Sequence, residues 1–171
     1  MDRQEKVVTM TVLMTPDMTN FAGNVHGGTI LSLLDKVAYV CAARYSKRYV
    51  ATLFVDQVVF KEPIRVGELV TFLASINGVG RSSMEVGIRV EAEDIRTKER
   101  RHTNSCYFTM VALGEDGRPV EVEPLTIESD IERKRQEAAM IRRRMRREIQ
   151  DMYRALHVQV GLEVSNGSAR E

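Results

Sequence analysis

Asp35 raises the first chemical question in this sequence. It lies in an apolar stretch, because between Thr29 and Ala43 only Asp35 and Lys36 carry a charge. A carboxylate buried without a partner is costly, or it takes up a proton. An aspartate in such a place can act as a general base that holds a water and removes its proton. The alternative is a structural ion pair with Lys36 or another basic residue.

Two glycines precede this aspartate in the segment NFAGNVHGG, residues 20–28. Gly27 and Gly28 have no Cβ, so a ligand can approach their backbone closely. The free N–H groups in the first turn of a helix favour an anion or a developing oxyanion. Asp35 follows Gly28 by two helical turns on the same side. The spacing therefore suits attack of water on a bound carbonyl, although the glycines could instead only close a loop.

The histidines and cysteines are weaker candidates for a functional site than Asp35 and the two glycines. His26 could serve as a base, but a histidine beside two glycines more often packs or forms a structural hydrogen bond. His102 and His157 are isolated, and no second histidine or cysteine stands at metal-ligand spacing, so we expect no metal site. Cys41 and Cys106 form no CxxC motif. We expect both to be buried free thiols.

A helix from about residue 28 to residue 45 is predicted to position these groups. Apolar residues recur along it at spacings of 3 and 4, which is typical of a core-facing stripe. Further apolar residues cover most of the remaining circumference, so we expect the helix to be buried on most sides. The stripe consists of Ile30, Leu33, Leu34, Val37 and Cys41, and the additional residues are Ala38, Val40, Ala42 and Ala43.

Five β-type segments accompany this helix. They are KVVTMTVLMTP (residues 6–16), YVATLFVDQVVF, LVTFLASI, MEVGIRVEAE and HTNSCYFTMVAL. In MEVGIRVEAE apolar residues alternate with Glu85, Gly87 and Arg89, which predicts one buried face and one solvent face. Because the long helix follows the first strand and no second helix alternates with the strands, we expect an antiparallel sheet wrapped around one central helix, in the α+β class.

The C-terminal part of the chain has a different character. From Ile131 to Ala155 we count nine basic and four acidic residues. Apolar residues recur there at helical spacing, which predicts an amphipathic helix with Asp130 as N-cap. We expect this seam to pack on the body or on a neighbouring subunit, with the arginines in water. Its members are Ala138, Ile141, Met145, Ile149, Met152 and Leu156. The predicted organisation is a domain over residues 1–127, a basic helix over 128–157 and a disordered tail over 158–171.

Composition limits the classes of function. The chain has 171 residues, 43% of them hydrophobic, and a net charge of +1, as in an ordinary globular protein without a polyanion or membrane bias. The N-terminal residues contain no apolar core of a secretory peptide, and no uncharged stretch is long and apolar enough to span a bilayer. We expect a cytoplasmic protein with no membrane partner.

The pattern N-x-x-G-N-x-H-G-G-x(6)-D, from Asn20 to Asp35, resembles the active-site segment of acyl-CoA thioesterases with the HotDog fold, in the branch of cytosolic acyl-CoA hydrolases. The resemblance continues through VATLFVDQVVFKEPIRVGE, GRSSMEVGIRVEAED and CYFTMVALGEDGRPVEVEPL and covers residues 6–137. It implies a HotDog fold and hydrolysis of fatty acyl-CoA without a cofactor. It also implies a homodimer, with further assembly into tetramers or hexamers.

The same resemblance implies roles for individual residues. The backbone N–H of Gly27, with Gly28 adjacent, would meet the thioester carbonyl, and Asp35 would activate water. Asn20, with Asn24 as the near alternative, would complete the site across a dimer interface.

Substrate contacts are implied at two further places. His26 would contact the substrate. The turn GRSS, residues 80–83, resembles the loop that holds the pantetheine and phosphates of CoA, through Arg81, Ser82 and Ser83. This turn could also be an ordinary hairpin. Some basic residues of the C-terminal helix could meet the CoA phosphates as well.

One position departs from the family pattern. Relatives often carry a small or hydroxyl residue two positions before the aspartate of the second strand, where this chain has Phe54 before Val55 and Asp56. The departure leaves the acyl-chain preference open.

Two other functions remain open at the level of sequence. One is a HotDog 3-hydroxyacyl dehydratase or hydratase that uses His26 with Asp35. The other is a non-catalytic acyl-CoA-binding sensor, whose Arg142–Arg147 cluster would touch nucleic acid or partner proteins. No helix-turn-helix precedes the domain, so we expect no nucleic-acid partner.

Overall fold

The computed structural model describes residues 4–160, with side chains through residue 156. The chain forms five strands and two long helices, and a short 3₁₀ turn at Pro16–Met18 follows the first strand. In chain order the elements are β1 Val7–Leu13, α1 Gly27–Ser46, β2 Tyr49–Val55, β3 Glu68–Val79, β4 Ser83–Asp94, β5 Arg100–Leu113 and α2 Asp130–Val160.

The five strands form one sheet in the order β1-β3-β4-β5-β2, and every neighbouring pair is antiparallel. The five predicted strands and the α+β class are therefore confirmed, although residues 56–60 of the second predicted segment lie beyond the end of β2. β2 lies at an edge, and its pairing with β5 shifts register between Thr52 and Phe54. Such a bulge turns the direction of the side chains that flank it.

Helix α1 packs against one face of this sheet and contacts all five strands. It begins at Gly27, and Lys47 in the left-handed conformation ends it. The apolar stripe is buried as predicted, except that Leu33 is only partly covered. The buried residues of the helix are Ile30, Leu34, Val37, Ala38, Cys41, Ala42 and Tyr45. Both cysteines are buried free thiols, as expected, and burial raises the pKa of each to about 12.

The expectation that α1 is buried on most sides is wrong for the single chain. One sheet can cover only one side of a helix, and the opposite side of α1 lies open. Leu31 is 40% exposed, and Tyr39 and Val40 are each 39% exposed. Asp35 and Lys36 lie on this open side as well.

Helix α2 packs on the opposite face of the sheet from α1. Along β4 the buried apolar residues Met84, Val86 and Ile88 belong to the core shared with α1. Glu85 lies between them on the other face, where Arg142 of α2 contacts it. This face of β4 was expected to be solvated, but Glu85 is only 5% exposed because α2 covers it.

The face of α2 that meets the sheet is also not the predicted one. Ala139, Arg142 and Arg146 recur at helical spacing and approach the sheet, since acidic side chains there pair with the arginines. Apart from the half-buried Ala138, the predicted seam does not pack on the same chain, and packing on a neighbouring subunit stays a prediction. Ile141, Met145, Ile149, Met152 and Leu156 are 42–60% exposed.

The N-terminus of α2 is capped by Ser129, so the assignment of Asp130 as N-cap is wrong. The hydroxyl of Ser129 accepts a hydrogen bond from the Glu132 N–H, and the Glu132 carboxylate accepts one from the Glu128 N–H at 2.7 Å. These reciprocal bonds resemble a capping box. The helix continues to Val160, so residues 158–160 are not part of a disordered tail, and the remainder of that predicted tail lies outside the described residues.

Within the described part of the chain, neither helix is long and apolar enough to cross a membrane.

Candidate active site

The loop that leads into α1 is held by one asparagine side chain. Asn20 Oδ1 accepts hydrogen bonds from the N–H groups of Ala22, at 2.9 Å, and Asn24, at 3.2 Å. The Asn20 N–H donates to the Asn24 carbonyl at 2.7 Å. Asn20 and Asn24, the predicted site residue and its alternative, therefore form one compact turn. The amide nitrogen of Asn20 remains available as a donor, because no partner for it is found in residues 4–160.

His26 is the N-cap of α1. Its Nδ1 accepts a hydrogen bond from the Gly28 N–H at 2.9 Å. A neutral His26 in this arrangement carries its proton on Nε2. The Gly28 N–H is thus already bonded, whereas the Gly27 N–H has no acceptor within the described residues. Of the two predicted carbonyl donors, Gly27 is the free one.

The ring of Phe60 lies over the start of the helix. A Cβ added at Gly27 would lie 3.7 Å from the Phe60 ring, so the ring borders the backbone at the first residue of α1. Phe60 itself is 45% exposed.

Asp35 points to the open side of α1 and contacts β2. Its Oδ1 accepts a hydrogen bond from the Thr52 hydroxyl at 2.6 Å. The second carboxylate oxygen has no partner among residues 4–160, and no ion pair of Asp35 with Lys36 or another base is found there. The structural alternative of an ion pair is therefore absent from the described residues. What the structure has is a carboxylate with one oxygen fixed and the other open.

Thr52 is a residue that the sequence analysis missed. The sequence analysis singled out Phe54, two positions before Asp56, as the departure from the family pattern. The hydroxyl that contacts Asp35 belongs to Thr52 instead. Nothing in the segment YVATLFV indicates which residue of the helix Thr52 will contact. The contact depends on how β2 folds back along α1, and the bulge after Thr52 sets the direction of its side chain.

An exposed apolar surface surrounds Asp35. Leu31 and Tyr39 lie one turn before and one turn after it on α1, and the Tyr39 ring meets the Tyr49 ring edge-on with centroids 6.1 Å apart. Contiguous apolar surface of this kind typically marks a ligand groove or a protein interface. A carboxylate in its centre would be removed from bulk water once that surface is covered.

The GRSS segment forms the hairpin turn between β3 and β4, which was the alternative left open for it. The Gly80 N–H donates to the Ser83 carbonyl at 2.7 Å. Arg81 is exposed, while Ser82 and Ser83 are half-buried. No contact joins this turn to Gly27 or Asp35 within the described part of one chain.

No group of three or more His, Cys, Asp or Glu side chains comes together at metal-binding distance among residues 4–160. The candidate site thus consists of a loop turn, one free N–H and a carboxylate held by a hydroxyl.

Comparison with known sequences gives several matches. Residues 22–99 match the family described as the thioesterase superfamily. The chain is 53% identical over 137 residues to Protein VdlD of Helicobacter pylori, which covers 80% of this chain and 78% of that protein. It is 34% identical over 129 residues to a Bacillus subtilis protein named as an uncharacterized acyl-CoA thioester hydrolase, YkhA, with 75% of each chain covered.

Solved structures of the same shape include acyl-CoA thioesterases. An apo hexameric acyl-CoA thioesterase is 31% identical, with a TM-score of 0.82, and covers 85% of this chain and 94% of that one. An acyl-CoA hydrolase from Staphylococcus aureus, in complex with butyryl-CoA, CoA and CoA disulfide, is 27% identical with a TM-score of 0.80, covering 91% and 96%.

The S. aureus hydrolase has also been solved as three alanine variants, of one asparagine, one aspartate and one threonine. In that protein the aspartate follows the asparagine by 15 positions, and the threonine follows the aspartate by 17. Asn20, Asp35 and Thr52 have the same residue types and the same two spacings.

Proposed function

This chain belongs to the thioesterase superfamily and is an acyl-CoA hydrolase, and we propose that Asp35 is the general base that activates the attacking water. The observation that carries the proposal is the Asp35–Thr52 hydrogen bond of 2.6 Å, which fixes one carboxylate oxygen and leaves the other open. The shared types and spacings of Asn20, Asp35 and Thr52 with the three residues replaced in the S. aureus hydrolase support it.

The first step in this proposal is binding of the thioester carbonyl at the Gly27 N–H. This N–H lies at the positive end of α1, where negative charge is favoured. One oxyanion donor contributes about 3–4 kcal/mol of transition-state stabilisation. Because His26 already accepts from Gly28, the Gly28 N–H supports the turn and Gly27 is the donor.

Asp35 then removes a proton from water as the water oxygen attacks the carbonyl carbon. The tetrahedral intermediate collapses, the C–S bond breaks, and Asp35 returns its proton to the leaving sulfur. The products are a free fatty acid and CoA, and no cofactor takes part. A positioned general base contributes about 10²–10⁴-fold to the rate. Thr52 is a positioning residue in this scheme, since it touches Asp35 and not the substrate.

We propose that the site is completed by a second copy of the chain. Asn20 would donate its free amide N–H groups to the neighbouring site, with Asn24 as the turn partner that holds it. The exposed apolar surface around Asp35 supports a contact between copies there. Two similar structures are described as hexameric, which supports assembly beyond a dimer.

The remaining assignments concern the substrate. We propose that Arg81, Ser82 and Ser83 contact the pantetheine or phosphates of CoA, and that His26 contacts the substrate through its free Nε2–H. A fatty acyl chain would lie on the apolar surface beside Leu31 and Phe60.

The direct test is Asp35→Asn, which keeps the size of the side chain and removes its basicity. We expect kcat/KM for a medium-chain acyl-CoA to fall by about 10³-fold or more, in keeping with a general base. Asp35 is exposed in the single chain, so circular dichroism and the unfolding midpoint should stay unchanged.

Asp151→Asn is the matched control, because Asp151 is an exposed acid on α2 whose ion-pair partner is Arg154. It should hydrolyse the substrate at the wild-type rate. Undiminished hydrolysis by a folded Asp35→Asn variant would overturn the assignment of the base. In the dehydratase alternative His26→Ala would abolish activity, whereas the hydrolase should retain a substantial part of it.

A further inference from the structure

Phe21 follows Asn20 in the loop that leads into α1, and it is the most exposed large apolar residue that the structure describes. Its side chain is 114% exposed, whereas the other large apolar side chains at the surface are 39–67% exposed. Covering a phenylalanine side chain removes about 150–250 Å² of surface from water. Phe21 therefore presents a large free apolar surface directly beside a proposed site residue.

The turn that carries Phe21 is fixed by hydrogen bonds on both sides of it. Asn20 Oδ1 accepts from the N–H groups of Ala22 and Asn24, at 2.9 and 3.2 Å, and the Asn20 carbonyl accepts from the Gly23 N–H at 3.1 Å. Gly23 has a φ of +79°, which a glycine adopts without strain, so the turn can be this tight. A fixed backbone presents the ring in one place and lowers the entropy that its binding costs.

Covalent geometry brings Phe21 into the same interface as Asn20. Consecutive Cα atoms are about 3.8 Å apart. If the Asn20 amide donates into the site of the neighbouring chain, as proposed above, the Phe21 ring lies close to that site. The inference rests on the proposed function in this respect, because it takes the shared site as its starting point.

The site has an apolar surface that such a ring can cover. Leu31, one turn into α1, is 40% exposed, and Phe60 is 45% exposed. The Phe60 ring borders the backbone at Gly27, where the thioester carbonyl is proposed to bind. An acyl chain that begins at Gly27 can therefore pack on Phe60. A second apolar side chain over it removes more of its methylene groups from water.

We infer that Phe21 packs on the acyl group bound in the site of the neighbouring chain and so contributes to the acyl-chain preference of the enzyme. In this arrangement Phe21 of one chain and Phe60 of the other enclose the first methylene groups beyond the carbonyl. Pantetheine, on the other side of the thioester, contains amide groups that are costly to cover with an apolar ring, which favours the acyl side.

The chain-length profile of hydrolysis tests this contact, with acetyl-CoA, butyryl-CoA and octanoyl-CoA as substrates. We expect Phe21→Ala to lower kcat/KM for octanoyl-CoA by about tenfold and kcat/KM for acetyl-CoA by less than about twofold, because an acetyl group has no methylene for the ring to cover. Phe21→Leu keeps an apolar side chain and should recover most of the activity toward octanoyl-CoA. Tyr153→Ala is the matched control, because Tyr153 is an aromatic residue of α2 that is 59% exposed, and it should leave the profile unchanged.

Size-exclusion chromatography separates this role from a purely structural one. If Phe21 only holds two chains together, Phe21→Ala gives a smaller species and lowers kcat/KM for every acyl length by the same factor. That result would overturn the inference, and so would a wild-type profile in Phe21→Ala.

Exchange of chains between two inactive variants tests whether the contact comes from the neighbouring chain. In a mixed dimer of Asp35→Asn and Asn20→Asp chains, the one intact site takes Asp35 from the Asn20→Asp chain and Asn20 from the Asp35→Asn chain. Phe21→Ala added to the Asp35→Asn chain should therefore give the altered profile. Phe21→Ala added to the Asn20→Asp chain should leave the wild-type profile. The reverse pattern would place Phe21 at the site of its own chain and overturn the inference.

These outcomes are distinct from a failure of the proposed function. Retained hydrolysis in Asp35→Asn would refute the general base, and the profiles of the wild type and Phe21→Ala would still be comparable. An exchanged mixture without activity would refute the shared site and, with it, this inference. An active mixture with the wild-type profile in both arrangements would refute the contact of Phe21 and leave the shared site standing.

Discussion

The two helices pack on opposite faces of one sheet by opposite means. Helix α1 packs on the sheet with an apolar stripe and leaves its one aspartate exposed on the other side. Helix α2 approaches the sheet with Arg142 and Arg146 and leaves a row of large apolar residues exposed. The charge of the sheet surface that a helix packs on thus decides which face of the helix is buried. Amphipathic spacing alone does not decide it.

The contacts of α2 form a connected ionic network. Arg142 and Arg146 both bond Glu85, and Arg146 also bonds Asp56 just after β2 at 2.6 Å. The Arg142 guanidinium lies 3.6 Å from the centre of the Tyr107 ring. Burial raises the pKa of Asp56, and the Arg146 guanidinium opposes that rise. Desolvation of these charges offsets much of their attraction, whereas removal of one partner leaves a buried charge without compensation.

Among substitutions that test how differently the two helices pack, Glu85→Ala should have the largest effect on the free energy of unfolding. The substitution leaves two partly buried guanidinium groups without their common partner, so we expect a loss of about 3–5 kcal/mol in the free energy of unfolding. Urea denaturation measures it. Glu148→Ala removes an exposed partner of Arg144 on the same helix and should cost less than about 0.5 kcal/mol. Equal, small losses in both variants would mean that α2 is held by something other than its arginines.

A smaller effect is expected on the α1 side from Thr52→Val. This change keeps the shape of the side chain and removes the hydroxyl that orients Asp35, so kcat should fall by about 10–100-fold through misplacement of the base. KM for acyl-CoA and the unfolding midpoint should stay near wild type, because Thr52 touches no substrate in the proposed site.

Thr52→Ser is the matched variant for this test, since it restores the hydroxyl. Recovery of most of the lost kcat in the serine variant supports orientation of Asp35 by a hydrogen bond. A valine variant with full kcat would show that Asp35 needs no such partner.

The smallest effect concerns the first turn of α2 and depends on pH. The Glu128 N–H lowers the pKa of Glu132, partial burial opposes this, and Lys6 adds to the lowering. A carboxyl whose folded-state pKa lies below its unfolded value stabilises the protein above the unfolded pKa, about 4.3 for glutamate. That stability is lost as the pH falls through the folded pKa.

Glu132→Gln should therefore lower stability at pH 7 by about 0.5–1 kcal/mol, the size of a helix-capping contact. The gap from wild type should close as the pH is lowered from 5 to 3. Glu137→Gln, an exposed glutamate farther along α2, provides the control and should leave no pH-dependent gap. A gap that persists at pH 3 would mean that the Glu132 carboxylate is not the source of the stabilisation.

The sequence predicted the features that depend on local periodicity. Alternation along β4, the stripe from Ile30 to Cys41 and the glycine pair before α1 are each visible within a few residues, so the sheet, the central helix and the position of Asp35 were predicted correctly. The features that depend on contacts between distant segments were not predicted. Thr52 meets Asp35 only through the fold of β2 along α1.

The same limit applies to α2. In the alternating strand Glu85 has the pattern of a solvent-facing residue. No residue near it in the sequence indicates that Arg142 of α2 will cover it. The Ser129 cap is a different case. Ser129 and Glu132 stand three residues apart, which is the spacing of a capping box, so this pattern is visible in the local sequence.

In the proposed catalytic site two copies of the chain contribute side chains, Asp35 from one and Asn20 from the other. Mixing Asp35→Asn with Asn20→Asp tests it most directly. The aspartate keeps the oxygen that holds the Ala22 and Asn24 N–H groups and loses the amide donor. Each variant alone should be nearly inactive.

In a dimer with two equivalent composite sites, random exchange should restore about one quarter of the wild-type activity, because half of the dimers are mixed and each of those has one intact site. Co-purification of tagged and untagged chains verifies the exchange. We expect activity near one quarter of wild type, and exchanged mixtures no more active than the separate variants would rule out a shared site.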